Sequence, residues 1–127
     1  MLWRALAVGL LLAFVVSPRA EAAVTEENFE ARTTGDLLAL CGVSPADANA
    51  NAAIHFCHGF LVGMARMHKT MGDVYEGRVF CLPEDALPTR DAAIDQFVEW
   101  GENNPGEKYL PPVDGLLTWL AQTYPCN

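Results

Sequence analysis

The sequence lacks the short motifs by which many enzymes and cofactor-binding proteins are identified. It contains no glycine-rich phosphate loop, no G-x-S-x-G nucleophile motif, no H-E-x-x-H zinc motif and no C-x-x-C-H haem-attachment motif. Basic residues are also few, with eight lysines and arginines against sixteen aspartates and glutamates, and the formal net charge is −8. Because nucleic acids attract positively charged surfaces, this charge argues against a nucleic-acid partner. These absences favour a protein that binds another protein over an enzyme.

Long apolar runs are absent except at the N-terminus. There, Arg4 precedes an unbroken apolar stretch over residues 5–16, and Ala20-Glu21-Ala22 follows. The run is shorter than the roughly 20 apolar residues that a membrane-spanning helix needs, and the small residues are those that signal peptidase accepts. We therefore predict a signal peptide over residues 1–22, cleaved after Ala22, and a mature protein of one domain in the periplasm.

The four cysteines predict two disulfides, because an even count is typical of small exported proteins. No two of them are close enough in sequence for a zinc clasp. Two antiparallel helices return the chain to its starting point, which slightly favours Cys81–Cys126 with Cys41–Cys57. The pairing of Cys57 with Cys81 and of Cys41 with Cys126 stays open.

The hydrophobic pattern predicts an all-α fold, a compact bundle of about four helices stapled by two disulfides. Residues 23–33 lack periodicity and are expected to form a flexible acidic arm, and residues 34–127 the helical domain. Signals of helix start and stop predict a first helix over Thr34–Cys41 capped by Thr34, a second that starts at Ser44 or later and ends near Gly72, a third over Thr89–Trp100, and a fourth that begins at Pro111-Pro112.

Two glycines four residues apart, Gly59 and Gly63, interrupt the second helix. Glycine costs a helix about 1 kcal/mol relative to alanine. We therefore expect another backbone to pack closely against this face.

A histidine-rich segment carries the only residues with catalytic or metal-binding potential, namely His55, Cys57, His58 and His68. Cys57 is expected to be oxidised, and two histidines without a third ligand make a weak site. We predict no metal, no cofactor and no catalytic residue. Aromatic and arginine side chains in the two longer connections are better candidates for binding a partner; they are Tyr75, Arg78, Phe80, Trp100, Lys108 and Tyr109.

Several cysteine-containing segments together resemble one family. They are Leu40-Cys41, Cys57-His58-Gly59-Phe60-Leu61-Val62-Gly63, Phe80-Cys81-Leu82-Pro83, Asn104-Pro105 and Tyr124-Pro125-Cys126. With these segments in this order, the chain resembles the Rap/Tai family of type VI secretion immunity proteins. The resemblance extends from about Thr34 to Cys126. The resemblance implies a helical periplasmic protein, often dimeric, that binds a secreted cell-wall amidase and blocks its cleft with residues 73–80 or 101–110.

Two other functions fit the same composition. One is an acid-activated periplasmic chaperone, which would expose apolar surface when its many carboxylates are protonated. The other is an accessory protein of an envelope complex.

Overall fold

The computed structural model describes residues 22–74 and 77–127 and contains four α-helices. The predicted signal peptide lies outside this range except for Ala22, and Tyr75 also lies outside it. Two short 3₁₀ helices, Glu26–Glu30 and Pro105–Tyr109, accompany the α-helices, and the described residues form no strand. The α-helices are α1 (Thr34–Cys41), α2 (Ala50–Val74), α3 (Arg90–Asn103) and α4 (Pro112–Thr123). The predicted all-α architecture is confirmed.

Helix α1 lies at the centre and contacts the other three α-helices. Its cap is Thr33, one residue before the predicted one: the Thr33 hydroxyl accepts the Asp36 N–H at 3.1 Å, and the Asp36 carboxylate accepts the Thr33 N–H at 3.0 Å. Thr34 is fully buried instead, and its hydroxyl donates to the Leu110 carbonyl oxygen at 3.0 Å. The second threonine therefore fixes α1 to the start of α4.

Helix α2 starts and ends later than the strongest sequence signals suggested. A series of turns occupies residues 45–49, and the helix begins at Ala50 and continues past Gly72 to Val74. The expected close packing at Gly59 and Gly63 is wrong, because no atom lies within 4 Å of where a β-carbon would stand at either position. These glycines face open space.

Helix α3 is longer than predicted and runs through Gly101 to Asn103. Gly101 is buried, and it lies so close to α1 that a β-carbon there would overlap the Leu38 side chain. The glycine that looked like a helix stop is thus a point of close helix packing.

Residues 23–33 were expected to be a flexible arm, and the structure instead gives this segment regular structure and packing. Val24 is 6% exposed and packs with Leu40 and Ala53. The Val24 N–H donates to Asp47 at 2.9 Å, and its carbonyl oxygen accepts from Asn49 at 3.1 Å. Val24 and Phe29 are five residues apart in an acidic segment and gave no periodic signal, which is why the sequence pattern missed this packing.

The favoured disulfide pairing is confirmed. Cys41–Cys57 joins the end of α1 to α2 inside the core, and Cys81–Cys126 joins the connection after α2 to the C-terminus. The Cys81 N–H also donates to the Tyr124 carbonyl oxygen at 2.8 Å. This connection is therefore held at the end of α4 by a covalent bond and a hydrogen bond.

Candidate protein-binding surfaces

Among residues 22–74 and 77–127, no group of three or more histidine, cysteine or acidic side chains could hold a metal ion, and this includes the histidine-rich segment. Cys57 is in a disulfide, and the His55 Nδ1 lies 2.8 Å from the Asn51 carbonyl oxygen of its own helix. The His58 Nε2 lies 3.4 Å from the Asp91 carboxylate. That distance is within ion-pair range, but the His58 Nε2 makes no hydrogen bond, so the contact is weak.

Two of the six predicted partner-binding residues pack in or against the main core. Phe80 is 3% exposed and lies in the main core cluster. Trp100 is half-buried, stacks on Phe97 with ring centroids 5.9 Å apart, and donates its indole N–H to Gln122 at 2.8 Å. Their apolar rings gain more from the core than from solvent. Phe80 is therefore not accessible to a partner, whereas Trp100 keeps part of its surface exposed.

Lys108 and Tyr109 form an exposed tip on a well-fixed base, which we call the Tyr109 protrusion (residues 104–110). Tyr109 is 86% exposed, the most exposed large apolar side chain in the described part of the chain. Beneath it, the Leu110 carbonyl oxygen accepts the Thr34 N–H at 2.7 Å, and the Asn104 side chain donates to the Trp100 carbonyl oxygen at 2.8 Å. The 3₁₀ helix thus presents an aromatic ring without needing to fold on binding.

Arg78 lies in the second candidate surface, the Arg78 connection (residues 77–80). Arg78 and Val79 are exposed, and His68 fixes the backbone beneath them. The His68 ring stacks on Phe80 with centroids 3.9 Å apart, and its Nε2 accepts the Val79 N–H at 3.1 Å. Desolvation, with the positive charge of Arg78, lowers the pKa of His68 below its ordinary value of 6.5. Only the neutral imidazole has a lone pair for this hydrogen bond.

The two surfaces lie at opposite ends of α4. The protrusion leads directly into its first residue, whereas Cys81, next to the Arg78 connection, is bonded to Tyr124 and Cys126 after its last turn. A helix of 12 residues is about 18 Å long. A single narrow cleft in a partner could therefore admit one of the two surfaces but not both.

A groove between α2 and residues 77–89 was not predicted. Two adjoining cavities of about 180 Å³ and about 450 Å³ form it, and both are bordered by Ala65, Phe80 and Leu87. A sequence signal did exist: four of the eight basic residues, Arg66, Lys69, Arg78 and Arg90, fall in one short stretch of a strongly acidic chain. Hydrophobic periodicity alone does not show such a clustering of charge.

None of the helices within residues 22–74 and 77–127 combines the length and the apolar character that a bilayer crossing requires.

Comparison with known proteins gives one match. Residues 33–126 match the family model of the Rap1a immunity proteins, and no curated protein or solved structure matches the chain. The matched span begins at the α1 cap and contains the four α-helices, both disulfides and both candidate surfaces. Since it covers well over half of the sequence, the chain belongs to the Rap1a family of immunity proteins, which are not enzymes.

Proposed function

We propose that this immunity protein acts in the periplasm and inhibits a type VI secreted peptidoglycan amidase by inserting the Tyr109 protrusion into its active-site cleft. The observation that carries this proposal is the 86% exposure of an aromatic ring on a hydrogen-bonded base. Steric inhibition of this kind needs shape and rigidity but no catalytic group.

The protrusion has the properties of an energetic anchor. Tyrosine is among the residues that contribute most to protein interfaces, and a base that is already ordered loses little conformational entropy on binding. Lys108 adds a cation beside the ring. The rest of the protein is acidic, so a partner with a basic rim around its cleft would be steered toward it.

Export to the periplasm has two supports. Two disulfides close within a single small domain, which is typical of proteins that fold in an oxidising compartment. The N-terminal apolar run and the Ala20-Glu21-Ala22 triplet have the composition of a cleaved signal peptide.

The test is protection of cells from an amidase encoded beside the gene. Wild-type protein should bind that amidase and rescue cells that express it in the periplasm. Tyr109→Ala should weaken binding by about 2 kcal/mol, roughly thirtyfold, and reduce the rescue. Val79→Ala, at the opposite end of α4, is the matched control and should leave both unchanged.

The outcomes separate the parts of the proposal. If Val79→Ala weakens binding and Tyr109→Ala does not, the amidase is bound through the Arg78 connection instead. If the wild-type protein neither binds nor protects against the amidase, the amidase is not the target.

We also propose a homodimer through an exposed apolar face of α2. Met67, Met71 and Val74 are 60%, 45% and 69% exposed and follow the i, i+4, i+7 spacing of one helix face. Apolar surface of this kind is costly in water and is commonly covered by a partner. Light scattering should give a dimer mass for the wild type and a monomer mass for Met67→Glu. A wild-type monomer at high concentration would contradict the dimer.

A further inference from the structure

The groove between α2 and residues 77–89 has an apolar floor that reaches the core. Leu116 is fully buried and Trp119 is 2% exposed, yet both border the smaller cavity of about 180 Å³. An apolar cavity of roughly 150 Å³ is large enough to hold a benzene molecule. The space is therefore sufficient for a ring or a segment of hydrocarbon chain without rearrangement of the helices.

The larger cavity continues the groove toward a group of cations. Arg66, Lys69 and Arg78 border it, and Glu84 is the one acidic side chain that does so. Neither of the two ion pairs within residues 22–74 and 77–127 includes any of these three basic residues. In a chain of net charge −8, three cations at one end of an apolar groove form a local positive field.

The position of Arg78 is fixed by packing. A β-carbon at Gly72 would stand 3.4 Å from the Arg78 Cγ and 3.5 Å from its Nε, so the arginine side chain lies flat against α2. His68 fixes the backbone of the next residue through the hydrogen bond to Val79. Arg78 is thus held in place at the cationic end of the groove.

We propose that this groove binds a single-chain anionic amphiphile, with its hydrocarbon chain over Ala65, Leu82 and Leu120 and its anionic head at Arg66, Lys69 and Arg78. A hydrocarbon chain suits the smaller cavity better than a peptide does. A peptide backbone needs hydrogen-bond partners, and the largely apolar lining of the cavity does not supply them. The anionic head is a carboxylate, as in a fatty acid, or a phosphate, as in a lysolipid, since both accept hydrogen bonds from arginine and lysine.

This site is independent of the two proposed protein contacts. Ala65 borders the groove and Met67 belongs to the apolar face of α2, and positions two apart on a helix point in nearly opposite directions. The Tyr109 protrusion lies at the other end of α4. The amphiphile can therefore be tested on the purified protein without an effector.

Isothermal titration calorimetry with protein purified from the periplasm tests the proposal, using dodecanoate, dodecyl phosphate and dodecyltrimethylammonium below their micelle concentrations. We expect at least one anion to bind about tenfold more tightly than the cation, a difference of about 1.4 kcal/mol. Tighter binding of dodecanoate would indicate a carboxylate head, and tighter binding of dodecyl phosphate a phosphate head. Equal binding of all three probes, or no binding up to about 1 mM, would overturn the proposal.

Variants locate the binding. Arg66→Gln/Lys69→Gln/Arg78→Gln should lower anion affinity about tenfold, whereas Arg32→Gln/Lys108→Gln, which removes cations outside the groove, should not change it. Ala65→Phe should block the chain and abolish binding, with circular dichroism as the folding control. If Ala65→Phe does not fold, the charge variants alone decide. Unchanged anion affinity in the triple variant would overturn the assignment of the head.

Discussion

Helix α1 and the second half of α2 both carry apolar side chains but have very different surroundings. Five of the eight residues of α1 are buried, whereas α2, with 25 residues, has two buried residues and none after Cys57. Both helices carry hydrophobic side chains at helical spacing. Burial therefore depends on how many other elements surround a helix, and α2 extends beyond its neighbours.

The largest expected effect comes from breaking the covalent link between α1 and the first half of α2, which anchors the exposed second half. The double variant Cys41→Ala/Cys57→Ala lacks the Cys41–Cys57 bridge. Its free energy of unfolding should fall by about 3 kcal/mol because the loop is no longer closed, and by about 1–2 kcal/mol more because a cavity is left in the core. Loss of Cys81–Cys126, whose loop is longer but whose second cysteine is exposed, should remove about 4 kcal/mol.

Urea unfolding of the two double variants measures these free energies. Loss of the buried bridge should lower the free energy of unfolding at least as much as loss of the peripheral one, although its loop is about a third as long. The opposite order would mean that loop closure alone controls stability and that the packing around α1 contributes little.

The next effect tests the close packing of α1. A β-carbon at Gly115 would overlap the Thr34 side chain, and one at Gly101 would overlap Leu38. Gly115→Ala and Gly101→Ala should each destabilise the protein by about 1–3 kcal/mol, since a filled core cannot accept a methyl group without shifting a helix. Chemical denaturation measures the loss. Gly106→Ala, where a β-carbon would meet no atom, is a control outside the core.

The sequence predicted the helices, the disulfides and the family because these depend on local signals. Thr33 and Thr34 show where such signals stop: both are good capping residues, and only the tertiary contact of Thr34 with Leu110 decides which one caps α1. Glycine signals were ambiguous for the same reason. Gly101 resembles a helix stop but is a packing point, and Gly63 resembles a packing point but is exposed.

The candidate surfaces were predicted less well than the fold. Tyr109 stands out as an aromatic residue in a polar turn and is exposed, so it stays a candidate, whereas Phe80 was misassigned because burial in a loop depends on what lies beneath it. Two features depend on the tertiary arrangement: the groove beside α2, and the distance that separates the two candidate surfaces. The order of residues does not give the distance, and its only sign of the groove is the cluster of basic residues beside it.

The pH dependence of stability should differ between the two regions. Near α2, the pKa of His68 is lowered in the folded state, so the unfolded chain binds a proton first as the pH falls below 6.5. Stability should therefore decrease as the pH falls from 6.5 to the folded-state pKa of His68. His68→Gln should remove this step from a series of thermal melts, and a step that persists in the variant would assign it to another group.

At the α1 cap, the pH dependence of stability comes from a carboxylate, Asp36, and falls at lower pH. Burial alone would raise the pKa of Asp36, but hydrogen bonds from Asn28 and from the Thr33 side chain and backbone outweigh it, and the pKa lies below its ordinary value of 3.8. Its contribution is present above pH 3.8 and should be lost as the pH falls through the lower folded-state value. Asp36→Asn should reduce this acid step and leave the one near pH 6.5 unchanged.

The smallest expected effect concerns the glycines of α2 that face open space. Gly59→Ala and Gly63→Ala should each stabilise the monomer by about 0.5–1 kcal/mol, because alanine restricts the unfolded chain and meets no atom within 4 Å in the folded one. Denaturation at low protein concentration measures the gain. Gly63 is one helical turn from Met67 on the same face, so a second copy of the chain seated there would contact the added methyl group. Stabilisation at low concentration that becomes destabilisation at high concentration would show that this face is covered in a dimer, and stabilisation at every concentration would show that it stays open.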